Sequence, residues 1–229
     1  MASVTTNTIG ECWIESIRTI LSNGTIYYDE DVKILESLGL SVKITEPRTD
    51  DKIIEQYGDK DVLEHTLKKF EKGVIMENRP FTYGEQIYNK EGVDQFEWLV
   101  KRLKRKAETK SATISLLDVG ADGANLPCLC IIDAKIRDNK LNLQFFYRGQ
   151  NIVGRQFANL IALSKFQYKL CSELNTQVGM LSGYVASAHI YEYDLDFAKK
   201  IINRQECVLR DQFYEQGPKS IRENNMFKH

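Results

Sequence analysis

The chain has no excess of positive charge, no long apolar run and no paired cysteine pattern. Its 229 residues carry 31 Lys+Arg against 32 Asp+Glu, a net charge of −1. That balance gives no footing on a nucleic-acid backbone, and no nucleic-acid partner is expected. The basic run KRLKRK (101–106) reads as the solvated face of a helix. No stretch approaches the length of a membrane span, so no membrane partner is expected. The opening MASVTTNTIGECW has no basic start followed by an apolar run, unlike a signal peptide. The expectation is a soluble cytoplasmic protein.

The five cysteines, Cys12, Cys128, Cys130, Cys171 and Cys207, are odd in number and scattered, which argues against a disulfide framework. Of the three histidines, His65, His189 and His229, none stands in ligand register with Cys128, so no metal site is expected. A phosphate-cradling glycine loop is also missing: DVGADG (118–123) lacks the lysine and the following helix. There is no repeat and no low-complexity linker, so residues 1–229 are expected to form a single domain.

The elements present are of both kinds. Residues 9–22 place Ile9, Trp13, Ile17, Ile20 and Leu21 at helical spacing, and Asn23-Gly24 stops them. Residues 61–73 and 93–108 read as helices, the second with Phe96, Leu99, Val100 and Leu103 facing the core. Residues 40–47 and 111–119 read as strands. The clearest unit is a hairpin: a strand over 129–136, the turn RDNK (137–140) and a return strand over 141–148. Leu141, Leu143, Phe145 and Tyr147 share one face of the return strand. A helix over 153–174, a strand over 180–194 and a helix over 194–205 follow, the last with Asp194 or Asp196 near its N-cap. The fold class is α+β, with most strands in one sheet.

The candidate chemistry centres on NLPCLC (125–130). Cys128 follows Pro127 at the mouth of a strand. Cys130 is placed on the same face two residues deeper and reads as a small buried hydrophobe. A reactive cysteine needs a positive group or a base beside it. Arg148 ends the return strand and lies near Cys128 if the hairpin is regular. Taken singly, Arg148, Tyr83, Asn159 and His189 each have an ordinary structural reading. Only a resemblance to a known set of motifs makes them a site together.

LPC (126–128), FYRGQN (146–151), FANLIAL (157–163) and SAHIYEYDL (187–195) resemble the thymidylate synthase family, which includes the pyrimidine-nucleotide hydroxymethylases. PFTYGEQI (80–87), VDQFEWLVKRLK (93–104) and WIESIRTILSNGT (13–25) extend the likeness upstream, to most of the chain. The resemblance implies one large mixed sheet packed against helices, with a sheet face used for dimerisation. It also implies a homodimer, a pyrimidine nucleotide substrate and 5,10-methylenetetrahydrofolate as cofactor. Cys128 is the implied thiolate that adds to C6 of the base, which makes C5 nucleophilic. Arg148 is implied to activate it and to bind phosphate, its fork of donors allowing both. Asn159 is implied to face the base, since an amide donates and accepts at once as uracil requires. His189 and Tyr191 are implied at the sugar hydroxyl, and Tyr83 at the ring as a proton relay. Gln150, Asn151 and Lys110 complete the implied binding set, with Lys110 reaching the partner's nucleotide.

The chain also departs from the family pattern. Gly149 replaces a serine, and Gln150 and Asn151 replace a cysteine and an aspartate, the latter a pterin contact. Lys110 and Ser111 align with two phosphate arginines, and Glu30 or a neighbour aligns with another. Glu46 and Glu55 are candidates for the family's catalytic glutamate. The expected reaction is methylation of a dUMP-like substrate. The alternatives are 5-hydroxymethylation of CMP, dCMP, UMP or dUMP, and a non-catalytic nucleotide-binding relative.

Overall fold

The structure is a computed structural model and describes residues 1–76, 82–117 and 126–204. Its frame is a seven-stranded mixed sheet in the order β1-β3-β7-β6-β5-β4, with β2 also paired to β3. β1 (Ala2–Thr6), β2 (Thr25–Asp29) and β3 (Val32–Ile44) come from the N-terminal part. β4 (Thr113–Ser115), β5 (Leu129–Arg137), β6 (Lys140–Asn151) and β7 (Gln177–Tyr191) complete it. The pairs β1–β3 and β6–β7 are parallel, and the rest are antiparallel.

The hairpin forms where the alternation places it. Asp138 and Asn139 take φ of 51° and 57° between β5 and β6. Two left-handed residues match the twist of a two-residue hairpin, and Asp and Asn tolerate that region best after glycine. Leu141, Leu143, Phe145 and Tyr147 are all buried, as the period of two requires.

Helix α1 (Ile9–Asn23) opens with a capping box, Thr8 accepting from Glu11 N–H while the Glu11 carboxylate receives the Thr8 N–H. Its apolar stripe, Ile9, Trp13, Ile17 and Ile20, is fully buried. The Trp13 indole donates to the Ile152 carbonyl at 2.9 Å and its ring packs on Phe157, tying α1 to the end of β6. Helix α5 (Gln95–Arg105) buries the four residues expected, Phe96, Leu99, Val100 and Leu103. Gln95 donates to the carbonyls of Gln86 and Ser115, which fastens α4 (Tyr83–Tyr88) to β4. Helix α6 (Phe157–Leu174) carries Phe157, Leu160, Ile161, Ser164 and Phe166 inward.

Several boundaries differ from expectation. β3 runs back to Val32, because its first half is stitched to the hairpin partner β2. β2 is exposed throughout, so no alternation betrays it. The helix expected over 61–73 is α3 (Lys60–Lys69), preceded by a short α2 (Lys52–Tyr57) capped by Asp51. α6 is led in by a π-helical turn, Ile152–Gln156, capped by the Asn151 side chain. The strand expected over 111–119 shrinks to β4, with 118 and 119 outside the described residues. The last helix occupies 195–204 after a 3₁₀ turn at Glu192–Asp194.

Candidate active site

The site is created by a row of irregularities across four strands. Leu129, Tyr147, Val185 and Leu40 lie side by side in register and are fully buried. Just beyond this row the ladder is interrupted. β5 has a bulge between Leu129 and Ile131. The β6–β7 ladder passes from Tyr147–Val185 to Gly149–Ser187 with one pair left out and its register unchanged. β3 passes through Gly39 at φ +77°, a conformation that favours glycine. The inner face then changes parity: buried positions run 143, 145, 147 and then 150 and 152, and likewise 181, 185 and then 188 and 190. Bulges re-aim side chains in this way. Consequently Gly149, Asn151, Ser187, His189 and Tyr191 turn away from the core, with Glu36 paired opposite His189.

Cys128 sits at the edge of this row, half-buried and unpaired. Its carbonyl accepts the Arg148 N–H at 2.9 Å. The Arg148 guanidinium folds back over the same segment, donating to Pro127 O at 3.1 Å and Leu126 O at 2.8 Å. From the other side the Tyr83 hydroxyl accepts the Leu129 N–H at 3.4 Å. The bulge puts Cys130 inside an irregularity of β5 instead of in the regular alternation expected from Cys128. Leu129 and Cys130 are both buried, and the Cys130 thiol lies 3.5 Å from the Cys128 carbonyl. Burial raises the thiol pKa of Cys130 and of Cys171, and pushes Cys12 up to about 12. Those three are held as neutral thiols, the unreactive form. Tyr147 is buried below, its hydroxyl without a hydrogen-bond partner among the described residues, and its pKa is raised by burial first and then by Tyr83, Cys128 and Cys130.

At the far end of the re-aimed face, His189 and Tyr191 stand two residues apart with ring centroids 5.2 Å apart. Tyr191 donates to Asp29 Oδ2 at 2.6 Å. His189 Nδ1 lies 3.3 Å from Ser187 Oγ, whose hydroxyl in turn donates to Glu36 Oε1. Burial holds the His189 pKa below its ordinary value, against smaller upward pulls from Ser187, Asp29 and Glu36.

A thymidylate synthase family model matches residues 19–222. The chain belongs to the thymidylate synthase family. It is 30% identical over 201 residues to a protein of Methanococcoides burtonii named "Putative thymidylate synthase", covering 85% of this chain and 92% of that one. Proteins of the same name from Methanosarcina mazei and Methanothermobacter thermautotrophicus are 29% and 28% identical. They cover 85% and 87% of this chain, and 91% and 98% of the relatives. The family performs folate-dependent one-carbon transfer to C5 of pyrimidine nucleotides.

Seen against the family, Cys128, Arg148 and Tyr83 converge, and Asn151, His189 and Tyr191 share the re-aimed face. Asn159 is half-buried in the first turn of α6, its amide making no hydrogen bond among the described residues. Gln150 is not brought to that face. It is buried beside Ala188, with neither amide atom hydrogen-bonded among the described residues. Lys110 is exposed and remote: Ala112 pairs with Ala134, six residues along β5 from Cys128, which is about 20 Å of strand. Glu46 pairs with Arg48 beyond the opposite end of β3, and Glu55 is exposed on α2. Neither belongs to the re-aimed face, where Glu36 is paired opposite His189.

Asp29, Glu36, Ser187 and Asp194 join the candidate site through hydrogen bonds that sequence reasoning missed. Ser187 had a signal, since it alternates with His189 and Tyr191. The sequence offers Asp194 as a helix cap, but its carboxylate accepts the Asn151 amide at 3.0 Å. Among the described residues no group of His, Cys, Asp or Glu could hold a metal ion, and no helix is long and apolar enough to cross a membrane.

Proposed function

We propose that Cys128 adds as a thiolate to C6 of a uracil nucleotide, so that C5 takes up a one-carbon unit and is methylated. The observation that carries this reading is the convergence of the Arg148 guanidinium and the Tyr83 hydroxyl on the backbone flanking Cys128. Arg148 lends positive charge near the sulfur and keeps Nη1 for the nucleotide phosphate. Tyr83 is the proton carrier for C5, through water. Asn159 reads the base with its free amide. His189 and Tyr191 hold the sugar.

5,10-Methylenetetrahydrofolate, when bound, supplies the methylene group and, for methylation, the hydride. The residues present fit it: the family's pterin aspartate is Asn151 here, and the Asp194 carboxylate bonded to Asn151 restores the charge. Asp194 would hold the pterin, with the exposed Tyr193 ring beside it.

We assign a homodimer to the outer sheet face, where Ile131, Phe146 and Tyr184 lie in one row across three strands. Phe146 and Tyr184 stack there at 5.7 Å. The remoteness of Lys110 within one chain fits a role at the partner's nucleotide. The reading places the protein in the cytoplasm, with the nucleotide and folate pools.

A second reading, 5-hydroxymethylation, is favoured by the Asn151 side chain, which is held by Gly154 N–H and Asp194. That arrangement alters the half of the site that controls water. The test is release of tritium from C5-labelled UMP, dUMP, CMP and dCMP with methylenetetrahydrofolate. Wild type is expected to release it and Cys128→Ser not. Equal absence of release in both proteins would leave a non-catalytic nucleotide binder. Product mass distinguishes methyl from hydroxymethyl.

A further inference from the structure

We propose that the sugar end of the site is built for a ribose, whose two neighbouring hydroxyls both donate, in preference to 2′-deoxyribose. The inference deepens the proposed function and rests on it. It departs from the dUMP-like substrate that the family resemblance implies.

The protons at this end are all assigned by their partners. A tyrosine hydroxyl has one hydrogen, and that of Tyr191 is held by Asp29 at 2.6 Å. Tyr191 therefore offers only lone pairs to a ligand. Ser187 also has one hydroxyl hydrogen, and it is directed to the Glu36 carboxylate. Ser187 Oγ can then only accept, so the His189 nitrogen 3.3 Å away, Nδ1, must carry a hydrogen and donate it. In the neutral imidazole Nε2 is then a bare acceptor. Burial keeps the ring neutral near pH 7.

His189 and Tyr191 thus present two acceptors and no donor on the same strand face. The single 3′-hydroxyl of a deoxyribose can satisfy one of them. A ribose brings a second donor on the adjacent carbon. Space exists for it: Gly149, in register with Ser187, puts no side chain over the imidazole, and an added Cβ would meet nothing nearer than 3.9 Å. Asp29 and Glu36 are positioning residues here. They act on the sugar through Tyr191 and Ser187–His189.

The preference expected is about tenfold to a hundredfold in affinity, the range for losing one substrate hydrogen bond at a partly shielded site. The experiment is calorimetric binding of UMP and dUMP to the full chain. Wild type should bind UMP at least about tenfold tighter. Asp29→Ala, a change at the exposed end of β2, frees the Tyr191 hydrogen to donate to a lone 3′-hydroxyl. The UMP/dUMP ratio should then fall toward one, mainly through tighter dUMP binding. Nitrogen NMR of the free protein should show His189 protonated at Nδ1 and bare at Nε2. Equal binding of the two nucleotides, an unchanged ratio in Asp29→Ala, or an Nε2–H tautomer overturns the sugar assignment while leaving the pyrimidine reading intact. Binding of neither nucleotide overturns both.

Discussion

At the scale of single residues, the environment separates chemically identical side chains. Four cysteines are described, and three are buried deeply enough for desolvation to raise their thiol pKa. Cys128 alone is half-buried, beside the Arg148 fork. His189 shows the opposite use of burial. Its folded pKa lies below the ordinary 6.5, so in the window between the two values the unfolded chain binds a proton that the folded chain does not. Its effect on stability is therefore neutral above pH 6.5, becomes unfavourable as pH falls through that window, and stays so below it. Urea midpoints measured from pH 7.5 downward should drop less steeply in His189→Gln than in wild type, before carboxylate protonation dominates near about pH 5.

At the scale of elements, the site depends on how short segments are seated. Helix α4 carries Tyr83, and its neighbour Gly84 rests on the chain below: a Cβ there would lie 1.9 Å from the Glu71 carbonyl oxygen. Backbone cannot give way as a flexible side chain can. Gly84→Ala should therefore lift α4, at a cost of about 1–3 kcal/mol in urea unfolding. The Tyr83 hydroxyl would leave the Leu129 N–H, and tritium release should fall by about a hundredfold, the scale of a 1 Å misplacement. Activity retained at a normal unfolding midpoint would show that Tyr83 needs no such seat. The hairpin β5–β6 was legible in the sequence down to its turn, because alternation and Asp-Asn chemistry are local. The bulge at its open end was not, since nothing in Leu129-Cys130 marks a change of parity.

At the scale of the whole molecule, strand register sets distances that chain order conceals. Lys110 lies far from its own Cys128, so its proposed role at the nucleotide requires a second copy. Cys128→Ser and Lys110→Glu should each be nearly inactive alone. Unfolded together and refolded, they should regain about a quarter of wild-type tritium release, because half of randomly mixed dimers carry one complete site of two. No recovery, with a dimer present by sedimentation, would remove Lys110 from the site. The apolar row Ile131–Phe146–Tyr184 is the surface proposed to bring the copies together.

By itself the sequence determined the α+β class, the amphipathic faces of α1, α5 and α6, and the identity of Cys128, Arg148, Tyr83, His189 and Tyr191 as candidates. The class and the faces rest on periodicity, and the candidate residues on motifs that resemble those of the thymidylate synthase family. Only the tertiary structure decided which groups face one another. Gln150 went inward and Asn151 outward because β5, β6 and β7 change parity along one row. Asp29 and Glu36 reached Tyr191 and Ser187 across separations of 162 and 151 residues. A hydrogen bond orients a proton only when its partner is in place. The donor and acceptor character of the proposed sugar end therefore came from the pairing of β3 with β7 and of β2 with β3.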